Sequence, residues 1–254
     1  MTRKVVIDFF PESVLRYNRG YAVVAVDVIR ASTTIATAVS MGRRCLPVPS
    51  LEAARRVAAR LCNPLLAGEL GGVIPRGFEM NNSPAELASR TDISRPLVLL
   101  SSSGTKLIHL ARANKAAYIA CFRNFDFLSK YLVGRHSHIA LIGAGSRGER
   151  REEDQMCCAW MARQLLESGY VAENRGTKEM VERWGAATTD SILSGPSADY
   201  LMRSGQGLDL MFTLTHIADL DWAFTLQGDE VVGFTPTEEK FAYSGIVSGA
   251  REGG

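Results

Sequence analysis

Residues 23–34 read Val23-Val24-Ala25-Val26-Asp27-Val28-Ile29-Arg30-Ala31-Ser32-Thr33-Thr34. An apolar run is interrupted by one acid, Asp27, and followed three residues later by Arg30. A buried strand has little use for an acid unless a cation meets it. The hydroxyls of Ser32, Thr33 and Thr34 open a helical stretch, whose free N–H groups and positive dipole end suit an anion. One short segment therefore carries a candidate metal ligand, a candidate anion clamp and a candidate anion cradle.

The same unit recurs along the chain as strand, polar glycine-rich loop, helix, with loops starting at Asp27, Gly68, Ser101 and Gly143. Strands are predicted at residues 5–9, 22–28, 65–67, 97–100, 117–121, 139–142 and 230–234. Helices are predicted at 33–41, 51–61, 105–112, 125–132, 152–167, 177–184, 198–203 and 208–217. A further helix starts at Ser83-Pro84-Ala85-Glu86, where Ser83 caps, Pro84 sits in the first turn and Glu86 closes a capping box. Alternation of this kind predicts a layered α/β/α fold with a largely parallel or mixed sheet. No linker, repeat or low-complexity segment divides residues 1–254, so a single domain is expected, with room for two α/β lobes around one cleft. The tail after Tyr243 is rich in Gly and Ser and is expected to fray. Ligands in such sheets bind at the carboxyl ends of the strands. If the strands run parallel, the four loops meet in one crevice.

The 254 residues are 46% hydrophobic and 22% charged, as in ordinary globular proteins. A net charge of +2 argues against nucleic acid or an anionic membrane as partner. No apolar run approaches the ~20 residues of a membrane span. Asp8 interrupts any secretory apolar segment, so a cytoplasmic protein is expected. The five cysteines include no C-x-x-C pair, which argues against a zinc site or a disulfide framework. Composition leaves a homo-oligomer open.

Each motif has a plainer explanation. Asp27 and Arg30 can form an internal ion pair, but the hydroxyls beside them add anion-binding capacity. Glu69, within Gly68-Glu69-Leu70-Gly71-Gly72, can be a solvated loop acid, yet it sits at a strand's carboxyl end. Ser101-Ser102-Ser103-Gly104-Thr105-Lys106 offers hydroxyls, N–H groups and a cation for an oxyanion, whereas capping needs only one of them. Glu152, Glu153 and Asp154 favour a helix dipole without any function. Magnesium, however, takes oxygen ligands from several elements, and Glu153 and Asp154 can join Asp27 and Glu69. Gly143-Ala144-Gly145-Ser146-Arg147-Gly148 matches G-x-G-x-x-G, but the strand expected after it shrinks to residues 170–172 and arginines crowd the loop.

Several segments together resemble the 2-phosphosulfolactate phosphatase (ComB) family. They are residues 26–34, Gly68-Glu69-Leu70-Gly71-Gly72, Gly77-Phe78-Glu79-Met80-Asn81-Asn82-Ser83-Pro84, residues 101–105, and Glu153-Asp154-Gln155. Ser197, Ala198 and Leu201, with residues 207–212, resemble the family's C-terminal segment. Ser103 stands where that family commonly has Asn, Lys106 where Arg is common, and Glu79 where Asp is common. The resemblance implies a ComB-like α/β fold. It also implies a Mg²⁺-dependent phosphomonoesterase acting on a sulfonated hydroxy acid phosphate in coenzyme M synthesis. On that basis Asp27, Arg30 and Glu69 are the catalytic candidates, and Asp27, Glu69, Glu153 and Asp154 the magnesium ligands. Ser32, Thr33, Thr34, Asn82, Ser102, Ser103, Gly104 and Thr105 would hold the small anionic ester, with Arg76 or Lys106 on its carboxylate or sulfonate. The D-x-D signature of aspartyl-phosphate enzymes is absent, since Ile29 fills its second position, which favours attack by metal-activated water. Two other classes stand beside this reading: an NAD(P)-dependent oxidoreductase using residues 143–148, and a non-catalytic anion-binding module.

Overall fold

The computed structural model describes residues 2–17, 20–114 and 116–235. The tail after Tyr243 lies outside the described residues. Among the described residues ten strands form one sheet: β1 (Lys4–Phe9), β2 (Ala22–Val26), β3 (Cys45–Val48), β4 (Leu65–Gly68), β5 (Leu97–Leu100), β6 (Ala116–Ala120), β7 (His138–Gly143), β8 (Val171–Ala172), β9 (Ala223–Gln227) and β10 (Glu230–Phe234). The helices are α1 (Ala31–Ser40), α2 (Leu51–Ala58), α3 (Pro84–Ser89), α4 (Gly104–Ala111), α5 (Phe125–Leu132), α6 (Glu152–Glu167), α7 (Arg175–Trp184), α8 (Pro196–Arg203) and α9 (Gly207–Thr215). The layered α/β expectation holds. β3, with its internal Pro47, and β9 are strands that periodicity did not predict. Ser83 does cap α3, but its own N–H donates to the Asn81 carbonyl, so the expected capping box is only half formed.

The strand order is β4-β5-β3-β10-β9-β6-β2-β7-β1-β8. β4, β5 and β3 are mutually parallel, as are β6, β2, β7, β1 and β8. Between these blocks the β9–β10 hairpin makes three antiparallel steps. Gly228, at φ +60°, supplies the left-handed residue of its two-residue turn.

Alternating residues of each strand feed opposite faces. Val24, Val26, Leu141 and Ile7 pack under α5, α6 and α7 with Met156, Met161 and Leu165. Val23, Ala25, Ala140, Leu97 and Leu99 face α1 and α4, meeting Ile35, Leu107 and Ile108. Residues from both parallel blocks thus share one core. α2 covers the other face of β3 and β5 through Ala53 and Ala54 against Val48, Val98 and Leu100.

Three direction reversals would put the carboxyl ends of β5 and β2 at opposite ends of a flat sheet. They border one cleft instead. Strands are rotated about 20–25° from one to the next, so the five steps from β5 to β2 accumulate roughly 100–125°. Loops from both parallel blocks thus border one cleft although the blocks run in opposite directions.

Candidate active site

The cleft holds about 340 Å³. The four loops predicted from the sequence all reach it, contributing Asp27, Ile29 and Arg30; Glu69, Gly71 and Gly72; Ser101, Ser102 and Ser103; and Gly145, Ser146 and Arg147. Asn82, Arg151 and Asp154 join them, and α8 closes one side with Pro196, Ser197, Tyr200 and Leu201.

Asp27 follows the fully buried strand β2, so its carboxylate emerges where the apolar run ends. Oδ1 accepts the Ala31 N–H at 3.2 Å. Burial pushes its pKa up to about 7, with the negative charges of Glu69 and Glu153 adding to the rise and the Ala31 N–H opposing it. Gly104, first residue of α4, packs against this carboxylate: a Cβ there would collide with Asp27 Oδ2.

Glu69 organises two loops. Its Oε1 accepts the Ser102 N–H at 2.7 Å, and Oε2 accepts the Gly72 N–H at 2.8 Å and the Ser102 hydroxyl at 2.9 Å. Ser102 Oγ in turn accepts the Gly71 N–H. Gly68, at φ +150°, lets β4 run so close to β5 that a side chain would collide with the Leu100 carbonyl.

Glu153 and Asp154 are both buried in the first turn of α6. Asp154 accepts the N–H groups of Val28 at 2.9 Å and Gly145 at 3.1 Å, one on each oxygen, and so ties two loops together. Its pKa stands well above the usual carboxylate range because of burial and the charges of Asp27 and Glu153. Burial also raises Glu153, which accepts the Ser197 hydroxyl at 2.6 Å and thereby anchors α8.

Arg30 lines the cleft, but its internal partner is not Asp27. It pairs with Asp209 at 2.5 Å and donates further to Gln206 and to Asn81. Asp209, on α9, falls in the family-like stretch 207–212 but is not one of the candidate site residues of the sequence. A lone acid in an apolar helical stretch, Leu208-Asp209-Leu210, was the available signal.

Ser32, Thr33, Thr34 and Thr105 are buried and do not line the cleft. Ser32 Oγ accepts the Asp27 N–H, Thr33 donates to the Val28 carbonyl, and Thr105 exchanges hydrogen bonds with Ser101. The hydroxyls of Ser32, Thr33 and Thr105 shape the loops from within, whereas the buried Thr34 Oγ1 has no partner among the described residues. Asn82 does line the cleft, and its buried Oδ1 has no hydrogen-bond partner among the described residues. Arg76 is exposed and outside the lining. Lys106 borders a neighbouring cavity, where it pairs with Glu12 at 2.6 Å.

Among the described residues no three His, Cys, Asp or Glu side chains cluster as a metal-holding group. Magnesium does not need such a cage. It usually keeps several waters and takes one or two protein carboxylates plus substrate phosphate. The donor set fits that pattern: Asp27 and Glu69 face one cleft, and the buried acids around them are short of positive charge. Asp154 and Glu69 each take an N–H on both oxygens, but Asp154 is buried and holds the loops, whereas Glu69 is only half-buried at the cleft.

The model of the 2-phosphosulpholactate phosphatase family matches residues 8–226. Three relatives share the printed name "Probable 2-phosphosulfolactate phosphatase". The protein of Pseudothermotoga lettingae is 34% identical over 158 residues, covering 62% of this chain and 66% of its own length, just under two thirds. That of Carboxydothermus hydrogenoformans is 28% identical, covering 90% of this chain and 92% of the relative. That of Symbiobacterium thermophilum is 29% identical, covering 76% and 86%. The family match runs from β1 into β9 and so takes in every loop of the cleft; this chain belongs to the 2-phosphosulpholactate phosphatase family.

Proposed function

We propose that the protein is a Mg²⁺-dependent phosphomonoesterase that hydrolyses the phosphate ester of a small hydroxy acid, with 2-phosphosulfolactate as the leading substrate. The observation that carries this reading is the placement of Asp27, a buried acid at a strand end, directly against the start of α4. A helix start offers N–H groups to phosphoryl oxygens, while an acid beside it calls for a cation. Among the described residues the N–H groups of Ser103 and Gly104 donate to no protein acceptor.

In this reading Asp27 and Glu69 hold the magnesium. The ion supplies charge neutralisation and activation of water when bound. Ser102, Ser103 and the first N–H groups of α4 receive the phosphoryl oxygens as charge builds on them in transfer. Glu69 keeps this turn in place through its bonds to Ser102. Arg30, oriented by Asp209, borders the phosphoryl position, and Asn82 lines the same cleft beside it. Asp154 and Glu153 position the loops and α8. A small anionic ester, not a nucleic acid, agrees with the near-neutral net charge, and the reading places the enzyme in the cytoplasm. Among the described residues no helix is long and apolar enough to cross a membrane.

The test is phosphate release from a panel of phosphomonoesters, including 2-phosphosulfolactate and phospholactate, with Mg²⁺ and with chelator. Turnover that requires Mg²⁺ and is best on the hydroxy acid esters is expected. Absence of turnover on every ester, with Mg²⁺ present, sinks the proposal.

A further inference from the structure

We propose that the loop of residues 143–151 is a clamp for the second anionic group of the substrate, its carboxylate or sulfonate, gripped by Arg147 and Arg151. The inference rests on the phosphomonoesterase reading above.

The loop's glycines match the spacing of a dinucleotide fingerprint, but they build something else. Ser146 and Glu149 exchange both backbone hydrogen bonds, each at 2.9 Å. The two residues between them, Arg147 at φ +53° and Gly148 at φ +76°, are both left-handed. That is the pattern of a type I′ turn, in which Asn and Gly are the favoured residues. An arginine held at its first central position is strained. Gly145, at φ +60°, allows the turn to fold back: a Cβ there would lie 2.8 Å from the Glu149 carbonyl oxygen.

The turn puts its arginine where an anion would meet it. Arg147 lines the main cleft and also the adjoining cavity of about 370 Å³. Its Nη2 donates to the Gly71 carbonyl at 3.0 Å, so the side chain spans to the loop that carries Glu69. Arg151, at the loop's base, lines the same cleft with a side chain only 15% exposed. It donates to the Ser146 carbonyl at 3.3 Å and lies 3.4 Å from the exposed carboxylate of Glu149.

Charge accounting singles out these two residues. The cations of the cleft lining are Arg30, Arg147 and Arg151. Arg30 is neutralised by the buried Asp209. Arg147 has no acidic partner among the described residues, and that of Arg151 is solvent-facing. Asp27, Glu69 and Asp154 are the acids of the cleft lining and offer an anion no attraction of their own. A substrate with a phosphate and a second acid therefore needs that acid directed towards Arg147 and Arg151. The planar guanidinium fork binds carboxylate or sulfonate through paired hydrogen bonds.

The experiment uses the full chain with Mg²⁺ and the variants Arg147→Asn and Arg151→Gln. Asn suits the left-handed position, so the melting temperature of Arg147→Asn should hold or rise. kcat/KM is measured on 2-phosphosulfolactate, on phospholactate and on phenyl phosphate, which has no second anion. In each variant the preference for 2-phosphosulfolactate over phenyl phosphate should fall more than tenfold, mainly through KM. Loss confined to 2-phosphosulfolactate assigns the clamp to the sulfonate, and loss on phospholactate as well assigns it to the carboxylate. A smaller change in preference, or equal losses on all three esters, overturns the clamp. Calorimetric titration with sulfolactate, which lacks the phosphate, separates this from the reading beneath it. If wild-type protein turns over no ester yet binds sulfolactate more than tenfold tighter than both variants, the clamp stands and the phosphatase reading falls. Equal or undetectable binding in all three proteins overturns the clamp.

Discussion

Arg30 and Asp209 form a buried ion pair across 179 positions of sequence, at 2.5 Å, with side chains 5% and 4% exposed. The second oxygen of Asp209 accepts the Ser83 hydroxyl at 2.6 Å and the Ala85 N–H at 3.1 Å. One carboxylate thus joins the loop after β2, the start of α3 and helix α9, and it fixes where Arg30 points.

Removing one partner of a buried pair leaves the other charge uncompensated. Asp209→Ala should therefore cost about 3–5 kcal/mol in urea unfolding. Arg30→Lys keeps the charge but loses the fork that also reaches Gln206 and Asn81. It should lower the melting temperature and reduce kcat/KM more than tenfold, over ~1.4 kcal/mol. Normal kinetics in a variant that merely melts earlier would take Arg30 out of the site.

Asp27 supplies a pH signature. Burial raises its folded pKa to about 7, above the ordinary ~3.9 of an unfolded Asp. Between those values the folded state binds more protons than the unfolded state, so stability falls as pH rises through the window. Burial moves Glu153 and Asp154 in the same direction. Metal-free protein should be more stable at pH 5 than at pH 7, and Asp27→Asn should flatten that slope while abolishing Mg²⁺-dependent turnover. An unchanged slope in Asp27→Asn would mean that Asp27 is ionised throughout.

Gly104 is required by close approach rather than by a left-handed backbone. An added methyl would collide with Asp27 Oδ2 and lie 2.6 Å from the Ala31 Cβ. Overpacking of this kind costs typically about 1–3 kcal/mol. Gly104→Ala should melt earlier and lose most turnover, because the carboxylate must move. Wild-type kinetics in this variant would show that the position of Asp27 against α4 is unimportant.

The loop of residues 143–148 should bind no dinucleotide. Its glycines close the Ser146–Glu149 turn, and β8 beyond it is only two residues long. Calorimetric titration with NAD and NADP should give no specific heat. Micromolar binding of either would favour an oxidoreductase over a phosphatase.

The repeating strand, loop and helix units, and the residues at each strand's carboxyl end, are legible in the amino-acid order. Those signals are local: an apolar run ends, a polar or glycine-rich turn follows, and a helix begins within a few residues. Asp27, Glu69 and Ser101-Ser102-Ser103 were legible for that reason, and the structure brings their loops to one cleft. Local reading did less well where a side chain looked inward. The hydroxyls of Ser32, Thr33 and Thr105 resemble an anion cradle in sequence, yet each meets a backbone group of its own turn.

The partner of Arg30, the α8 wall and the inserted β9–β10 hairpin emerge with the assembled fold. Asp209 is one acid among many until α9 packs beside Ser83. Tyr200 and Ser197 join the cleft because their hydroxyls meet Gly72 and Glu153, far away along the chain. The hairpin separates two parallel blocks, and no local pattern says which strands it lies between. Pairing partners, and the twist that accumulates over five strand steps, are properties of the assembled sheet. Backbone hydrogen bonds between strands carry no residue code, and the choice among them is made by which faces can be buried together.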